Sequence, residues 1–410
     1  MIKHFAIVTL CILSLTSSAQ NIRTIQLQPK HNLKTQSFIV RLGQTLVLSF
    51  DDLDGDGKEY QYKIEHMTHD WKPSTLTSNQ YIDGFNQNEI LHFSNSFNTL
   101  QSYTHYSVEI PNQNTRITKS GNYLISVLDA YDNLIFTRKC VFYEDKTTVG
   151  IAAFRSRNTN TINEQQTVQF SVNHPTVQIN NPSAEIKVVL FQNHNWNTAI
   201  TNIQPNFIQP NRLLYNHTLK TNFWGGNEFL NFDTKYLKNT SLNIAKIAEN
   251  DLVHSYLYPN SPRINNIYTY NPDINGQFIV RSADAGISPA ATNTEADYSI
   301  VHFSLDVYEP YSDKKVFVYG AFNNYQLSEE NRMTFDKNSN SYQIEIPFKQ
   351  GFYNYSFVTL SDNQNINLHE IDGSFYQTEN QYTVIIYFKP FGGIYDQVIG
   401  VGNGYFNQNR

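Results

Sequence analysis

Cysteine is nearly missing from this chain: Cys11 and Cys140 are its only two. Cys11 falls in the apolar N-terminal stretch, so Cys140 stands alone in the rest of the chain. That excludes an internal disulfide framework, a Cys-x-x-Cys redox motif and a cysteine-based zinc site. Charge is also scarce, at 16% of residues, and the basic side is the smaller one: 30 Lys and Arg against 36 Asp and Glu, for a net charge of −6. A nucleic-acid partner would need a basic footprint, and a lipid-held segment would need a polybasic run; neither exists. After the N-terminus no run approaches the ~18–20 apolar residues of a membrane-spanning helix. Helical 3.6-residue periodicity is almost absent too, which excludes helical bundles.

What is present is aromatic and Asn-rich. Tyr and Phe number 27 each, in a chain of 410 residues that is 40% hydrophobic. Such usage favours strands and turns, and the length gives room for two to four domains with cores of their own. The expected fold is all-β: about three β-sandwich units of fibronectin or immunoglobulin type, with long loops.

At the start, Lys3, the apolar stretch Phe5 to Leu15 and the small residues Ser17-Ser18-Ala19 form a secretory signal, so residues 1–19 are expected to be cleaved and Gln20 to begin an exported chain. Val8-Thr9-Leu10 before Cys11 lacks the small residues of a lipid-attachment site, so no direct membrane anchor is expected. Residues 20–146 read as an N-terminal sandwich. Ser37 to Val40 and Leu46 to Phe50 are strands about a turn at Gly43, and Tyr60, Tyr62, Ile64 and His66 alternate along one face of a strand. Tyr106 to Ile110 and Tyr123 to Leu128 continue the pattern, and Cys140 is a small buried hydrophobe within a strand. Residues 147–281 form a middle β-rich unit. There Val168, Phe170 and Val172 alternate and Ile186 to Phe191 is a buried strand, whereas Asn202 to Arg212 and the Pro-broken Tyr258 to Asp273 are loops. Residues 282–297 are a linker or loop, and 298–410 a C-terminal sandwich with strands at Ile300 to Leu305, Lys315 to Tyr319, Tyr342 to Ile346, Phe352 to Phe357 and Tyr382 to Phe388.

Three constellations could carry chemistry. Asp52-x-Asp54-x-Asp56-Gly57 resembles half of a calcium loop, but Lys63 stands where the twelfth-position carboxylate belongs, so an acidic β-turn is expected. His66-x-x-His69-Asp70 lies where a strand runs into a turn; residues three apart then face opposite ways, which suits packing better than zinc. Gly400-x-Gly402-x-Gly404 leaves no room for the helix a phosphate cradle needs. No nucleophile elbow, His-Glu-x-x-His or paired cysteines occur. The expectation is no catalytic, metal or cofactor residues, hence no enzyme, with partner-binding residues unknown.

Three resemblances add to this. Tyr60-Gln61-Tyr62-Lys63-Ile64-Glu65, followed by Asp70-Trp71 and Gly121-Asn122-Tyr123, resembles fibronectin type III-like sensor modules, in which the Trp packs the sandwich. Val316 to Tyr325 and Gly351 to Phe357 resemble glycogen-binding modules and their early-set immunoglobulin relatives. The residue at Tyr325 can stack on sugar in those modules, although surface packing is the expected role here. A third likeness spans Phe50 to Gly400. Phe50-Asp51-Asp52-Leu53, His69-Asp70-Trp71, Tyr81 to Phe85, Ser96 to Thr99, Tyr103-Thr104-His105-Tyr106, Gly226-Asn227-Glu228-Phe229, Glu295-Ala296-Asp297-Tyr298, Thr378 to Tyr382 and Tyr395 to Gly400 resemble the plug protein family of the type IX secretion system. Met67 stands where Cys is usual, and Leu230 and Gln397 where Arg is usual. The resemblance implies a non-catalytic periplasmic protein, peripheral to the outer membrane. It would be monomeric within its complex and would seal a large outer-membrane β-barrel translocon while no cargo crosses. The alternative is an exported carbohydrate-binding protein using the C-terminal sandwich around Tyr325.

Overall fold

In the N-terminal unit, alternation along each strand decides which side chains meet. One sheet runs Ile22–Pro29, Leu46–Asp52, Thr104–Ile110, His92–Asn95; the other runs Ile39–Arg41, Leu134–Tyr143, Gly121–Asp129, Tyr60–Met67, Gln87–Glu89. The computed structural model describes residues 21–32, 37–283 and 289–407. The expected signal peptide, with Lys3 and Cys11, lies outside them. Tyr60, Tyr62, Ile64 and His66 are all buried, as their two-residue spacing requires; the first three share a core with Leu46, Leu48 and Phe50, and His66 packs on Tyr81, Tyr123 and Tyr395. Phe50 stacks on Tyr106 with centroids 5.1 Å apart and meets Tyr60 edge-on at 5.3 Å. Each such ring, fully buried, stabilises the fold by roughly 1.5–3 kcal/mol. Cys140 is buried in Leu134–Tyr143, and burial pushes its thiol pKa up.

Beyond residue 144 the sheets do not follow the linear division into 147–281 and 298–410. One middle sheet runs Thr148–Arg155, Gln165–Asn173, Arg212–Tyr215, Phe207–Gln209. Its partner sheet runs Asn195–Thr201, Ile186–Gln192, Asn380–Phe388, Gln397–Phe406, so half of it comes from the far end of the chain. The reason is burial on both faces. Ile186–Gln192 and Asn380–Phe388 are both almost continuously buried, and two such strands satisfy each other's ladders only at the centre of a sheet. Conversely, Leu230–Asp233, Val253–Leu257 and Phe278–Val280 leave the middle unit and join the C-terminal sheet built on Gly351–Ser361, Lys314–Tyr319, Arg332–Asp336, Ser341–Lys349 and Tyr298–Asp306. That sheet folds back on itself: Phe232 touches Phe348 at 5.2 Å and Phe303 at 5.7 Å.

Smaller differences have local causes. Within the expected loop at Asn202 to Arg212, Phe207–Gln209 pairs with Arg212–Tyr215 about a turn at Pro210-Asn211. In the expected linker, Pro289–Glu295 is a short helix and Ala296 is fully buried. Trp71 does not pack inside the N-terminal sandwich. It occupies a turn with φ 63° and meets Trp196 of the middle unit edge-on at 5.0 Å.

Candidate interaction surface and the joints behind it

The acidic turn has its own cation. Lys58 Nζ lies 3.0 Å from Asp52 Oδ2 and 3.6 Å from Asp56 Oδ1, and also pairs with Asp54. Asp52 is buried and further accepts the Tyr60 hydroxyl at 2.8 Å. An ammonium therefore stands where calcium would. The histidines separate: His66 is buried against Ser120, with burial pushing its pKa down to about 4, whereas His69 Nδ1 meets Asp396 at 3.0 Å. Asp70 pairs with Lys72. Gly400, Gly402 and Gly404 form a stripe against which Thr148–Arg155 lies. A Cβ on Gly402 would sit 2.7 Å from Val149 Cβ, and one on Gly404 2.6 Å from Ile151 Cγ2. The stripe is a close-packing device. Tyr325 is buried rather than on the surface, with its hydroxyl 3.3 Å from the Asn193 carbonyl, so it is no platform for sugar.

Most of the segments that carry the third resemblance meet where units join; Tyr81 to Phe85, which pairs with Thr115–Ile117 inside the N-terminal sandwich, does not. Between the N-terminal and C-terminal sandwiches, buried Asp51 accepts from Lys349 Nζ at 2.8 Å and from the Tyr298 hydroxyl at 2.7 Å, and meets His105 Nδ1 at 2.6 Å. Lys349 also donates to the Asn293 carbonyl and lies 4.1 Å from the centroid of Tyr103, whose hydroxyl donates to Ala296 at 2.7 Å. Asp297 accepts from the backbone of Leu100 and Gln101. Burial would raise the Asp51 pKa, but the Lys349 and His105 side chains outweigh it and hold the carboxyl below its ordinary value. For Lys349 burial wins and lowers the ammonium's pKa.

A second joint packs the N-terminal sandwich on the middle unit. His69 donates its backbone N–H to Asp396, the Tyr387 hydroxyl donates to Asn122 at 2.8 Å, and Val141 packs with Val189, Phe191 and Ile385. Lys139 lies 4.7 Å from the Trp71 ring centroid, a cation–π contact over the aromatic seam. The third joint links residues 225–229 to 378–382. Thr378 donates to the Gly226 carbonyl, Asn380 to the Gly225 carbonyl, and Glu379 N–H to Glu228. Nearby, Asp273 has its pKa pushed up to about 7, by burial first and then by Glu228 and Glu379.

Sequence reasoning did not single out Lys349 or Asp273. A lysine directly after the apolar Ile346-Pro347-Phe348 was the one available signal, since a buried ammonium needs a buried acid.

Among the described residues, one edge of the N-terminal sandwich stays largely open, tied down at Phe97 N–H by the Thr294 carbonyl and at Leu100 N–H by Asp297. The segment from Phe85 to Leu100 crosses from the outer strand Gln87–Glu89 of one sheet to the outer strand His92–Asn95 of the other. Along it Phe85 is 70% and Phe97 72% exposed, and Leu91, Phe93 and Leu100 are more than half exposed. Gln87 Nε2 bonds Asp132 at 2.9 Å, which sets exposed Tyr131 and Leu134 alongside. Edge strands are commonly guarded by lysine, yet the chain has no Lys or Arg between Lys72 and Arg116. The edge is thus aromatic and free of Lys and Arg, with the exposed Glu89 as its one carboxylate.

Comparison with known proteins bears on this same unit. Residues 22–144 match the family model of the type 9 secretion system plug protein 1st domain. The whole chain is similar to a crystal structure of a hypothetical protein from Parabacteroides merdae, with a TM-score of 0.89, 28% identity, and coverage of 94% of this chain and 97% of that one. Among curated proteins none matches the sequence.

Proposed function

We propose that this protein is a non-catalytic periplasmic plug, which binds the periplasmic mouth of the type IX secretion translocon and seals it while no cargo is crossing. The observation that carries this reading is the match of residues 22–144 to the plug first-domain model, on the unit that exposes the Phe85 to Leu100 edge. Two further features support it. Buried joints fasten the three units to one another, which suits a body that must resist deformation. The exposed edge offers a few aromatic anchors on an otherwise polar surface, the composition of a reversible interface whose free partner stays soluble. The carbohydrate-binding alternative loses its residue, because Tyr325 is buried.

The test is isolation of detergent-solubilised outer-membrane complexes carrying the native chain or Phe85→Asp/Phe97→Asp. The native chain is expected to co-purify with a giant β-barrel. The double variant should melt normally yet co-purify at least about tenfold less, since two anchors worth ~1 kcal/mol or more each are lost. Absence of the barrel from the native preparation would overturn the reading.

A further inference from the structure

We infer that the cleft between the middle unit and the C-terminal sandwich binds a neutral saccharide, with Trp224 as its stacking plate. The inference is independent of the plug reading and uses none of the residues of the exposed edge.

The cleft measures about 320 Å³, at the lower end of the roughly 300–1,000 Å³ typical of small-molecule sites. Trp224 lines it, 39% exposed. One face of its indole is backed by His369, with ring centroids 4.3 Å apart and an interplanar angle of 27°. Both rings line the cleft, and the stack holds the indole in place while part of it stays exposed.

The polar groups around it are fixed and partly unspent. Asn195 and Asn197 both donate to the Tyr319 hydroxyl, at 2.9 and 3.1 Å. Tyr319 is buried, and its oxygen receives two donors, so neither amide engages its own hydrogen. Gln192 spends its amide N–H groups on the Trp224 carbonyl and the Tyr382 hydroxyl. Among the described residues, Gln192 Oε1, Asn197 Oδ1 and Trp224 Nε1 have no protein partner.

Charge is what the cleft lacks. Among the described residues no Lys or Arg lines it, and the one carboxylate there, Asp372, is committed to Arg263 Nε at 2.9 Å and to the Phe357 N–H at 3.1 Å. Burial lowers the pKa of His369 and so disfavours its charged form. A charged ligand would lose its hydration and gain no counter-ion. A pyranose fits instead: its C–H face stacks on an aromatic plate, and its hydroxyls alternate as donors and acceptors around the rim.

The experiment titrates the full mature chain with maltohexaose, cellohexaose and chitohexaose, followed by calorimetry and by tryptophan fluorescence. At least one is expected to bind with a Kd of ~0.1–1 mM and to change the fluorescence. Trp224→Ala should weaken that binding at least about fivefold, and Gln192→Ala about fivefold; should Trp224→Ala fail to fold, Gln192→Ala decides. The inference is overturned by no binding of any of the three up to about 10 mM, by binding that both variants leave unchanged, or by an unstructured peptide that changes the fluorescence while the sugars do not.

Discussion

Lys349 and Asp51 lie 298 residues apart in sequence and 2.8 Å apart in space, both buried where the N-terminal and C-terminal sandwiches meet. The pair is worth little as a net attraction, because desolvating both charges offsets most of it, but either one alone is costly. Lys349→Met is therefore expected to destabilise the protein by about 3–5 kcal/mol. Adding Asp51→Asn should recover a large part of that loss. Urea unfolding of the two variants checks this; equal losses in both would mean that the ammonium's packing on Tyr103, not its charge, is what matters.

The glycine stripe makes a steric claim. A methyl group on Gly402 has no room beside Val149 Cβ, so Gly402→Ala should lower stability by about 1–3 kcal/mol. Val149→Gly in the same chain should return part of the loss, since it removes both side-chain atoms the new methyl would strike and the two positions therefore couple. Additive losses in thermal melts would contradict the close approach of Thr148–Arg155 to Gln397–Phe406.

The acidic joint makes a claim about pH. Asp273 has a folded pKa of about 7, against ~3.9 in an unfolded chain. A raised carboxyl contributes stability that is complete below the unfolded value and is lost as pH climbs through the folded one. Between about pH 4 and pH 7 this group should cost up to ~1.4 kcal/mol per pH unit. Asp51 and Asp396 are lowered and act in the opposite sense, so their contribution is lost on acidification. Asp273→Asn is expected to flatten the decline of melting temperature from about pH 4 to about pH 7. An unchanged slope would mean that Asp273 ionises normally.

Much of the fold could be read before any coordinates, wherever local pattern decides. The alternation from Tyr60 to His66 placed a strand and its buried face, and the apolar run Ile186 to Phe191 placed a central strand. Its neighbour could not be read. Asn380–Phe388 arrives from the far end of the chain, and pairing of two strands buried on both faces leaves no trace in local spacing. Tyr325 was expected at a surface because its own sandwich would leave it there, but the middle unit covers it through Asn193 and Asn197. Likewise, the missing twelfth carboxylate argued against calcium, but nothing in spacing marked Lys58 as the resident cation. The joints were the least legible part. His69 finds Asp396, and Asp51 finds Lys349, through tertiary contacts alone.

The central claim is that this body blocks an otherwise open pore, and permeability tests it most directly. A pore wide enough for folded cargo passes large hydrophilic antibiotics when nothing occupies it. Susceptibility to such an antibiotic should be measured in the native strain, in a strain lacking this protein, and in one lacking both it and the translocon barrel. The account expects hypersensitivity in the single deletion, with protein export largely intact, and restored resistance in the double deletion. A double deletion as sensitive as the single one would contradict it.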